Sequence, residues 1–300
     1  MRSAMNVAVV GAGAVGCYYG FLLAQAGHAV TLIGRPALVE AVGAAGLVLE
    51  RAAGTASVPV RATEAGDGVS GADLVLVCVK SGDTEAAGAM IAGHLDPAAT
   101  ILSLQNGVDN AERLAAVLDR PVVPVAVYVA TAMAGPGHVR HNGRGDLILG
   151  ASKTSDRIAA AFTAAGIPTT VSARAVDALW AKLITNCAYN ALSALTQRPY
   201  GRLLQGEGVV AAITDVVREC VAVAEADGVS VPPDILDTVL DLGVTMSGQR
   251  SSTAQDLARG RASEIDHLNG FVVRKGAALG IPTPANRLLH TLVKLAEHKD

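Results

Sequence analysis

The feature that most restricts how this chain can fold is a glycine-rich run near its start, Gly11-Ala12-Gly13-Ala14-Val15-Gly16. It follows a short apolar segment and opens a helix-like one, which predicts a strand, a tight turn and a helix. The first glycine allows the turn, the second lets a phosphate approach the backbone, and the third lets the helix pack against the strand. The six residues therefore predict a dinucleotide-binding turn, with a glycine-rich packing turn as the alternative.

The end of the second predicted strand indicates which dinucleotide binds. Sites for NAD tend to place Asp or Glu there to hold the ribose 2′-hydroxyl, but this chain reads Ile33-Gly34-Arg35. A carboxylate would repel a 2′-phosphate, whereas a guanidinium can hold it with two charge-assisted hydrogen bonds. We therefore expect NADP(H), with Arg35 as the phosphate ligand; the alternative is a solvated loop arginine.

Residues 1–172 alternate between strand-like and helix-like segments. Strands are predicted at 6–10, 28–33, 72–79, 100–104 and 122–134, and helices at 14–26, 83–94 and 109–118. The segment 137–150 is interpreted as a hairpin with a glycine-rich turn, followed by one more helix and strand. This alternation is typical of a Rossmann-like α/β domain, a doubly wound parallel sheet.

Residues 173–300 show a helical pattern throughout. Helices are predicted at 174–197, 207–227, 233–247, 252–279 and 284–298, with prolines between several of them. We predict a second, all-α domain, with the substrate bound in the cleft between the domains. The long apolar helices at the end of the chain favour a homodimer.

A polar stripe marks the first of these helices. Lys182, Asn186 and Asn190 are spaced i, i+4 and i+8, so they share one face. A solvated face usually carries several charged residues, but this one has a single amine and two amides. Hydride transfer to a ketone builds negative charge on its oxygen, which a Lys ammonium can stabilise and protonate. The stripe therefore predicts a surface that binds a 2-keto acid.

Two later polar residues, Ser252 and Glu264, are each consistent with either a structural or a functional role. Ser252 is expected either to cap a helix or to bind a carboxylate at the helix start. Glu264 lies near Arg261, Asp266 and Asn269, so a surface ion pair is the alternative to a role in catalysis.

Composition excludes several other classes of protein. The net charge is −3 without a basic block, which argues against nucleic acid as a partner. No apolar run reaches the ~20 residues that a membrane span requires. The four cysteines form no CxxC pair, so reduced core thiols, a cytoplasmic setting and no metal site are expected.

Several segments occur together in a characteristic order. They are GAGAVG, VCVK ending at Lys80, LQNG around Asn106, GPGHVRHNG, LWAKLITNCAYNALSAL and SSTAQDLARGRASEIDHLNG. In this respect the chain resembles the ketopantoate reductase (2-dehydropantoate 2-reductase) family over nearly its whole length. The resemblance implies reduction of ketopantoate to pantoate, a 2-keto acid to a 2-hydroxy acid, with NADPH as hydride donor.

The resemblance also implies roles for individual residues. In the second domain Lys182 resembles the general acid, and Glu264 the catalytic acid near the nicotinamide. Asn186, Asn190 and Ser252 resemble the residues that bind substrate.

In the first domain, Lys80 and Asn106 resemble cofactor-contacting residues at the ends of later strands, with Asn106 also near the substrate. Arg35 resembles the ligand of the 2′-phosphate.

Three positions depart from the family pattern. The chain has Pro199-Tyr200 and Gln249 where the family often has asparagine, and Ser263 where threonine is usual. The first two lie where substrate selectivity is expected to be set. They leave open a related 2-hydroxyacid dehydrogenase that acts on a bulkier or aromatic 2-keto acid. A non-catalytic NADP-sensing protein is the alternative from another class.

Overall fold

The first unit of the protein is a ten-stranded sheet flanked by helices. The structure, a computed structural model, describes residues 4–298. The strands are β1 (Asn6–Val10), β2 (Ala29–Ile33), β3 (Leu47–Arg51), β4 (Gly54–Val58), β5 (Arg61–Thr63), β6 (Leu74–Val77), β7 (Thr100–Ser103), β8 (Val123–Gly135), β9 (His138–Gly150) and β10 (Thr169–Ser172). The helices are α1 (Ala14–Gln25), α2 (Pro36–Ala45), α3 (Thr84–Ile91), α4 (Asn110–Leu118) and α5 (Ser155–Ala164).

The predicted doubly wound sheet is confirmed. The strand order is β4-β3-β9-β8-β7-β6-β1-β2-β5, with β10 beside β9. All neighbours from β8 to β5 are parallel, whereas the β8–β9 and β3–β4 pairs are antiparallel. Alternate residues of β1 face opposite sides: Val7 and Val9 join the core cluster that includes α1, and Ala8 and Val10 join the one that includes α3 and α4.

The hairpin predicted within residues 137–150 is wrong. This segment is a single strand, β9, and the turn that joins it to β8 lies at Pro136-Gly137, where Gly137 has φ +64°. Gly143 and Gly145 lie close to register shifts in the β8–β9 ladder. Glycines mark bulges as well as turns, so the glycine-rich run was assigned to the wrong feature.

Residues 36–63 contain elements that the sequence analysis did not predict. They form α2, β3, β4 and β5. β4 has four exposed residues out of five, and β5 has only three residues, so neither shows the apolar alternation that marks a strand in sequence.

The second unit is helical. The boundary between the units falls between Val176 and Asp177, whereas the sequence placed it between 172 and 173. The helices are α6 (Ala175–Thr196), α7 (Tyr200–Leu203), α8 (Val209–Ala226), α9 (Ile235–Thr245), α10 (Ser252–Ala258), α11 (Asn269–Leu279) and α12 (Pro284–Glu297). No strand occurs within 177–298.

The single helix predicted over 252–279 is wrong. α10 ends at Ala258, and Gly260 then adopts a left-handed φ of +62°. A short 3-10 helix, Ile265–His267, precedes α11. Residues 259–264 (RGRASE) lack the apolar spacing that would bury another helical turn, and glycine readily adopts the left-handed conformation that ends a helix.

The helices show no sign of a transmembrane segment. Across residues 4–298, none is both long enough and apolar enough to span a bilayer.

Candidate active site

Four parallel strands of the first unit end at one edge of the sheet in register. Val10 of β1 pairs with Ile33 of β2 and with Val77 of β6, which in turn pairs with Ser103 of β7. The residues that follow these strand ends are the predicted cofactor ligands: the run Gly11–Gly16, Arg35, Lys80 and Asn106. Because β1 lies between β2 and β6, the chain reverses its direction of travel across the sheet here, and such a switch point forms a binding crevice.

Gly11 makes the turn from β1 into α1. Its φ is +92°, and a Cβ built on it would lie 2.6 Å from the backbone N of Val79. The N–H groups of Gly11 and Ala12 both donate to the carbonyl of Ile33, at 3.0 and 3.1 Å. The turn is therefore held against the end of β2, in a conformation that favours glycine.

The other two glycines of the run face different surroundings. Gly13 is exposed, and a Cβ built on it would have no atom within 4 Å. On Gly16 the added Cβ would lie 2.5 Å from the carbonyl oxygen of Gly11 and 2.8 Å from a methyl of Val9. The backbone at Gly13 is therefore open to a ligand, whereas Gly16 allows α1 to pack against β1. Ala14 and Val15, the first residues of α1, are half-buried between them.

Arg35 lies at the start of α2, two residues beyond the end of β2. Its carbonyl accepts the N–H groups of Leu38 and Val39, so its backbone is fixed by the helix. Its side chain is exposed, and its guanidinium makes no hydrogen bond or ion pair to any residue in the range 4–298. It therefore offers a complete set of donors beside the glycine turn.

A network of polar side chains lies beneath the loops that carry Lys80 and Asn106. The carbonyl of Asn106 accepts hydrogen bonds from Ser81 Oγ, at 2.7 Å, and from Asn110 Nδ2, at 2.6 Å. Thr84 Oγ1 accepts a hydrogen bond from Gln105 Nε2 at 2.7 Å and lies 3.0 Å from Asn110 Oδ1. The network joins the two loops into one unit.

This network was not predicted from the sequence. Its members Ser81, Thr84, Gln105 and Asn110 are at most 5% exposed. The available signal was the cluster of Ser, Thr, Gln and Asn directly after two apolar strands, because such residues stabilise irregular backbone.

In the second unit, α6 carries the polar stripe. Lys182 and Asn186 are half-buried, and Asn190 is only 3% exposed. Neither amide side chain makes a hydrogen bond to another described residue. Most buried side-chain polar groups do have partners, so these two amides are available to a ligand.

The loop before α10 is fixed to α6. Ser251 Oγ accepts the N–H of Ala254 at 3.0 Å and donates to the carbonyl of Asn190 at 3.2 Å. The helix cap is therefore Ser251, and the alternative that Ser252 caps the helix is wrong. Ser252 is the first residue of α10 and is exposed.

The loop that contains Glu264 is fixed to the same helix. Ile265 packs against Ala191 of α6 in a small apolar cluster, and Asn269 Nδ2 donates to the carbonyl of Cys187 at 3.2 Å. Glu264 itself is half-buried. Within this unit, the segments that carry Ser252 and Glu264 are thus both attached to the middle of α6.

Tyr200 and Gln249, the two departures from the family pattern that are expected to affect substrate selectivity, are neighbours in space. The Tyr200 N–H donates to the carbonyl of Gln249 at 3.0 Å. The ring of Tyr200 lies 4.7 Å from that of Tyr189, centroid to centroid. Burial raises the pKa of both tyrosines to about 12.

The cysteines are free thiols. Cys17, Cys187 and Cys220 are buried, and burial raises the pKa of Cys17 to about 12. A thiol with so high a pKa is a poor nucleophile and a poor metal ligand at neutral pH. Within residues 4–298, no three His, Cys, Asp or Glu side chains form a metal-binding group.

A dinucleotide turn at a switch point, followed by a helical unit with a polar stripe, defines the class: a two-domain dinucleotide-binding oxidoreductase. Sequence comparison identifies the family within that class. The family described as "Ketopantoate reductase PanE/ApbA" matches residues 7–154, and "Ketopantoate reductase PanE/ApbA C terminal" matches residues 174–297. The chain belongs to the ketopantoate reductase family, whose enzymes are NADPH-dependent oxidoreductases.

Individual relatives agree with this assignment. The 2-dehydropantoate 2-reductase of Halobacterium salinarum is 36% identical, over 98% of this chain and 99% of its own. The crystal structure of a PanE/ApbA family ketopantoate reductase from Ralstonia eutropha superposes with a TM-score of 0.96 at 57% identity, covering 98% of each chain. A D-mandelate dehydrogenase, 22% identical, shares the fold with a TM-score of 0.91 over 98% of each chain.

Proposed function

We propose that this enzyme reduces 2-dehydropantoate (ketopantoate) to pantoate with NADPH. The main support is the polar face of α6, which presents the ammonium of Lys182 and the amides of Asn186 and Asn190. The side chains of these two asparagines form no hydrogen bond to another described residue. Such a face suits a small anion that carries a carbonyl group, because a charged donor and neutral donors are both present. The names of the full-length relatives support the same substrate.

NADPH fits the edge of the first sheet. The open backbone at Gly13 leaves room for the pyrophosphate. The guanidinium of Arg35 is available to the 2′-phosphate. Lys80 and Asn106 follow the next two strand ends, and the buried network beneath them holds the loops in place.

Residues of the helical unit supply the acid and the donors. Bound NADPH provides the hydride that reduces the substrate carbonyl. Lys182 stabilises the negative charge that develops on the carbonyl oxygen and gives it a proton from Nζ. Asn186, Asn190 and Ser252 donate hydrogen bonds to the substrate, and the Glu264 carboxylate can accept one from the product hydroxyl.

The experiment is an NADPH-oxidation assay with ketopantoate beside other 2-keto acids. We expect Lys182→Ala to lower kcat about 100-fold or more, the range for loss of a general acid. Lys153→Ala, in an exposed turn of the first unit, is the matched control and should leave kcat unchanged. Near-normal turnover of the Lys182 variant would contradict its role, and no oxidation with any 2-keto acid would contradict the function.

A second candidate is a related enzyme for a bulkier or aromatic 2-keto acid. The contact of Tyr200 with Gln249 favours it, since the two departures expected to affect substrate selectivity fall at one place. Rates on ketopantoate and on phenyl-substituted 2-keto acids separate the candidates. A kcat/KM that is higher for the phenyl compound would identify the second.

We also propose that the enzyme is a cytoplasmic homodimer. Leu288 and Leu295 of α12 are 60% and 66% exposed, and an exposed apolar face often marks a subunit interface. The buried free thiols suit a reducing compartment. Sedimentation equilibrium and cell fractionation measure the two properties.

A further inference from the structure

Glu264 lies in the irregular segment between α10 and α11, where no regular helix fixes its backbone. The residues beside it, Ser263 and Asp266, both form hydrogen bonds to α12. A catalytic carboxylate must be held within ~0.5 Å of its working position. The contacts with α12 therefore restrain the segment that carries Glu264, in addition to its contacts with α6.

The first contact joins Ser263 to Glu297. The backbone N and the Oγ of Ser263 both donate to Glu297 Oε1, at 2.8 and 2.6 Å. Ser263 Oγ also accepts the N–H of Ile265 at 3.2 Å, so the two residues on either side of Glu264 are joined. The side chain of Glu297 is only 8% exposed. Buried charge-assisted hydrogen bonds of this kind restrain the backbone strongly.

The second contact joins Asp266 to two side chains of α12. Its Oδ1 lies 2.6 Å from His290 Nε2, and its Oδ2 accepts a hydrogen bond from Lys294 Nζ at 2.8 Å. Lys294 also lies 3.0 Å from Glu297, so one ammonium joins both carboxylates. We call these five residues the α12 anchor: Ser263, Asp266, His290, Lys294 and Glu297.

The anchor carboxylates remain ionised at neutral pH. Burial by itself would raise the pKa of Glu297, but the hydrogen bonds from Ser263 and the Lys294 ammonium lower that pKa overall. Burial would likewise raise the pKa of Asp266, and Lys294 and His290 lower it. The ion pairs of Lys294 with Asp266 and Glu297 are therefore present at neutral pH.

We propose that α12 is a positioning element for Glu264, acting through the α12 anchor. The proposal rests on the catalytic role of Glu264 in the proposed function. No member of the anchor needs to touch substrate or cofactor. The anchor restrains the backbone on both sides of Glu264, while Ile265 and Asn269 attach the same segment to α6, the helix of Lys182.

The test uses Glu297→Ala and Lys294→Met, both distant in sequence from Glu264. Each should lower kcat at least about tenfold with little change in the Kd for NADPH, because misplacement of a catalytic group affects turnover strongly. The matched control is Lys275→Met, which removes an ion pair with Asp227 (2.7 Å) elsewhere in the helical unit. It should keep the parental kcat.

A double-variant comparison separates positioning from general stability. In a Glu264→Gln background, Glu297→Ala should cause no further loss of kcat, because the group that the anchor positions is already gone. Equal losses in both backgrounds, or parental kcat in the single Glu297 variant, would overturn the proposal. Activity of Glu264→Gln equal to that of the parent would instead overturn the role of Glu264 in the proposed function.

Hydrogen exchange tests the anchor without reference to activity. Glu297→Ala should speed exchange at amides of residues 263–268 and leave the middle of α6 protected. Unchanged exchange at 263–268 would overturn the proposal even if the enzyme proved to act on another substrate.

Discussion

Single residues of the glycine turn are constrained by different physical effects. Gly11 needs both a positive φ and the absence of a Cβ, since Val79 lies against it. Gly13 needs neither for folding, because its surroundings are open and its φ is −83°. The sequence motif does not show that Gly11 and Gly13 have different structural requirements. The packing around each glycine in the folded protein shows it.

Gly11→Ala should destabilise the protein more than Gly27→Ala does. The two glycines have nearly the same φ, +92° and +91°, but an added Cβ at Gly27 meets nothing within 4 Å. Gly27→Ala then costs only about 1–2 kcal/mol for the backbone conformation. Overpacking against Val79 should add about 1–3 kcal/mol for Gly11→Ala. Urea unfolding measures the difference, and equal losses would show that the contact with Val79 relaxes freely.

Arg35→Ala should weaken binding of NADPH and leave binding of NADH nearly unchanged. Loss of charge-assisted hydrogen bonds to a phosphate costs about 1.5–3 kcal/mol, or roughly a 10- to 100-fold rise in Kd. Arg61→Ala, an exposed arginine at the start of β5, is the control. Fluorescence titration with both dinucleotides measures the effect. A proportional loss for NADH would mean that Arg35 does not recognise the 2′-phosphate.

At the scale of elements, the strand ends and the loops after them are ordered by different interactions. Apolar runs such as Leu74–Val77 determine the strands. The loops depend on the buried hydrogen bonds among Ser81, Thr84, Gln105 and Asn110, which connect segments distant in sequence. Buried apolar strands such as β6 were therefore predictable from local pattern, whereas the hydrogen-bond pairing within the network was not.

Thr84→Val should destabilise the first unit and raise the KM for NADPH. The shape is conserved, but Gln105 Nε2 loses its acceptor and remains buried. An unsatisfied buried polar group costs about 1–3 kcal/mol. Thr214→Val, at a half-buried site on α8 where the hydroxyl bonds only to the carbonyl of Val210, is the matched control. If stability and KM both stay at the parental values, the network does not order the cofactor loops.

The α12 anchor should make the protein sensitive to acid. The folded-state pKa values of Asp266 and Glu297 are lowered, so their contribution to stability is present above the unfolded pKa of about 4. It is lost as the pH falls through the folded values. Glu297→Gln should therefore be less stable than the parent at pH 7, and the difference should shrink below pH ~4. Urea midpoints across this range measure it; a difference independent of pH would contradict the prediction.

The break between α10 and α11 shows why an element can be missed. The sequence suggested one helix over 252–279, because apolar residues recur on both sides of residues 259–264. The backbone leaves the helix at Gly260 and is then held by α12, which comes later in the chain. The acid predicted to act in catalysis lies in this break, where local pattern carries no information on geometry.

At the scale of the whole molecule, cofactor binding should stabilise the enzyme through the first unit. NADPH at 100 times its Kd should add about 2.7 kcal/mol to the free energy of unfolding. Hydrogen exchange should slow at residues 11–16, 34–36, 78–81 and 104–107, which follow the four strand ends. NADH at the same concentration serves as the control and should protect less. Protection confined to the helical unit, for example to residues 217–236 between the middle of α8 and the start of α9, would contradict the proposed cofactor site.

Apart from the roles of Lys80, Asn106, Ser252 and Glu264, which the resemblance to the family implied, the sequence by itself determined the fold class, the dinucleotide turn, Arg35 and the polar stripe of α6. These features are encoded locally, in apolar periodicity, glycine positions and the spacing of polar residues along one helix. The site residues remain proposals, although the family to which the chain belongs is known.

Only the tertiary structure decided what surrounds those residues. It placed the turn of the β8–β9 hairpin at Gly137, made Ser251 the cap of α10, brought Tyr200 to Gln249, and joined the Glu264 segment to α12. The contacts of Tyr200 and of the Glu264 segment join residues that are far apart in the sequence, so they depend on the path of the whole chain. The turn and the cap each required a choice between neighbouring residues that could serve equally well. Local propensity cannot select among such partners, because the buried hydrogen bonds and packing that decide between them form only in the folded protein.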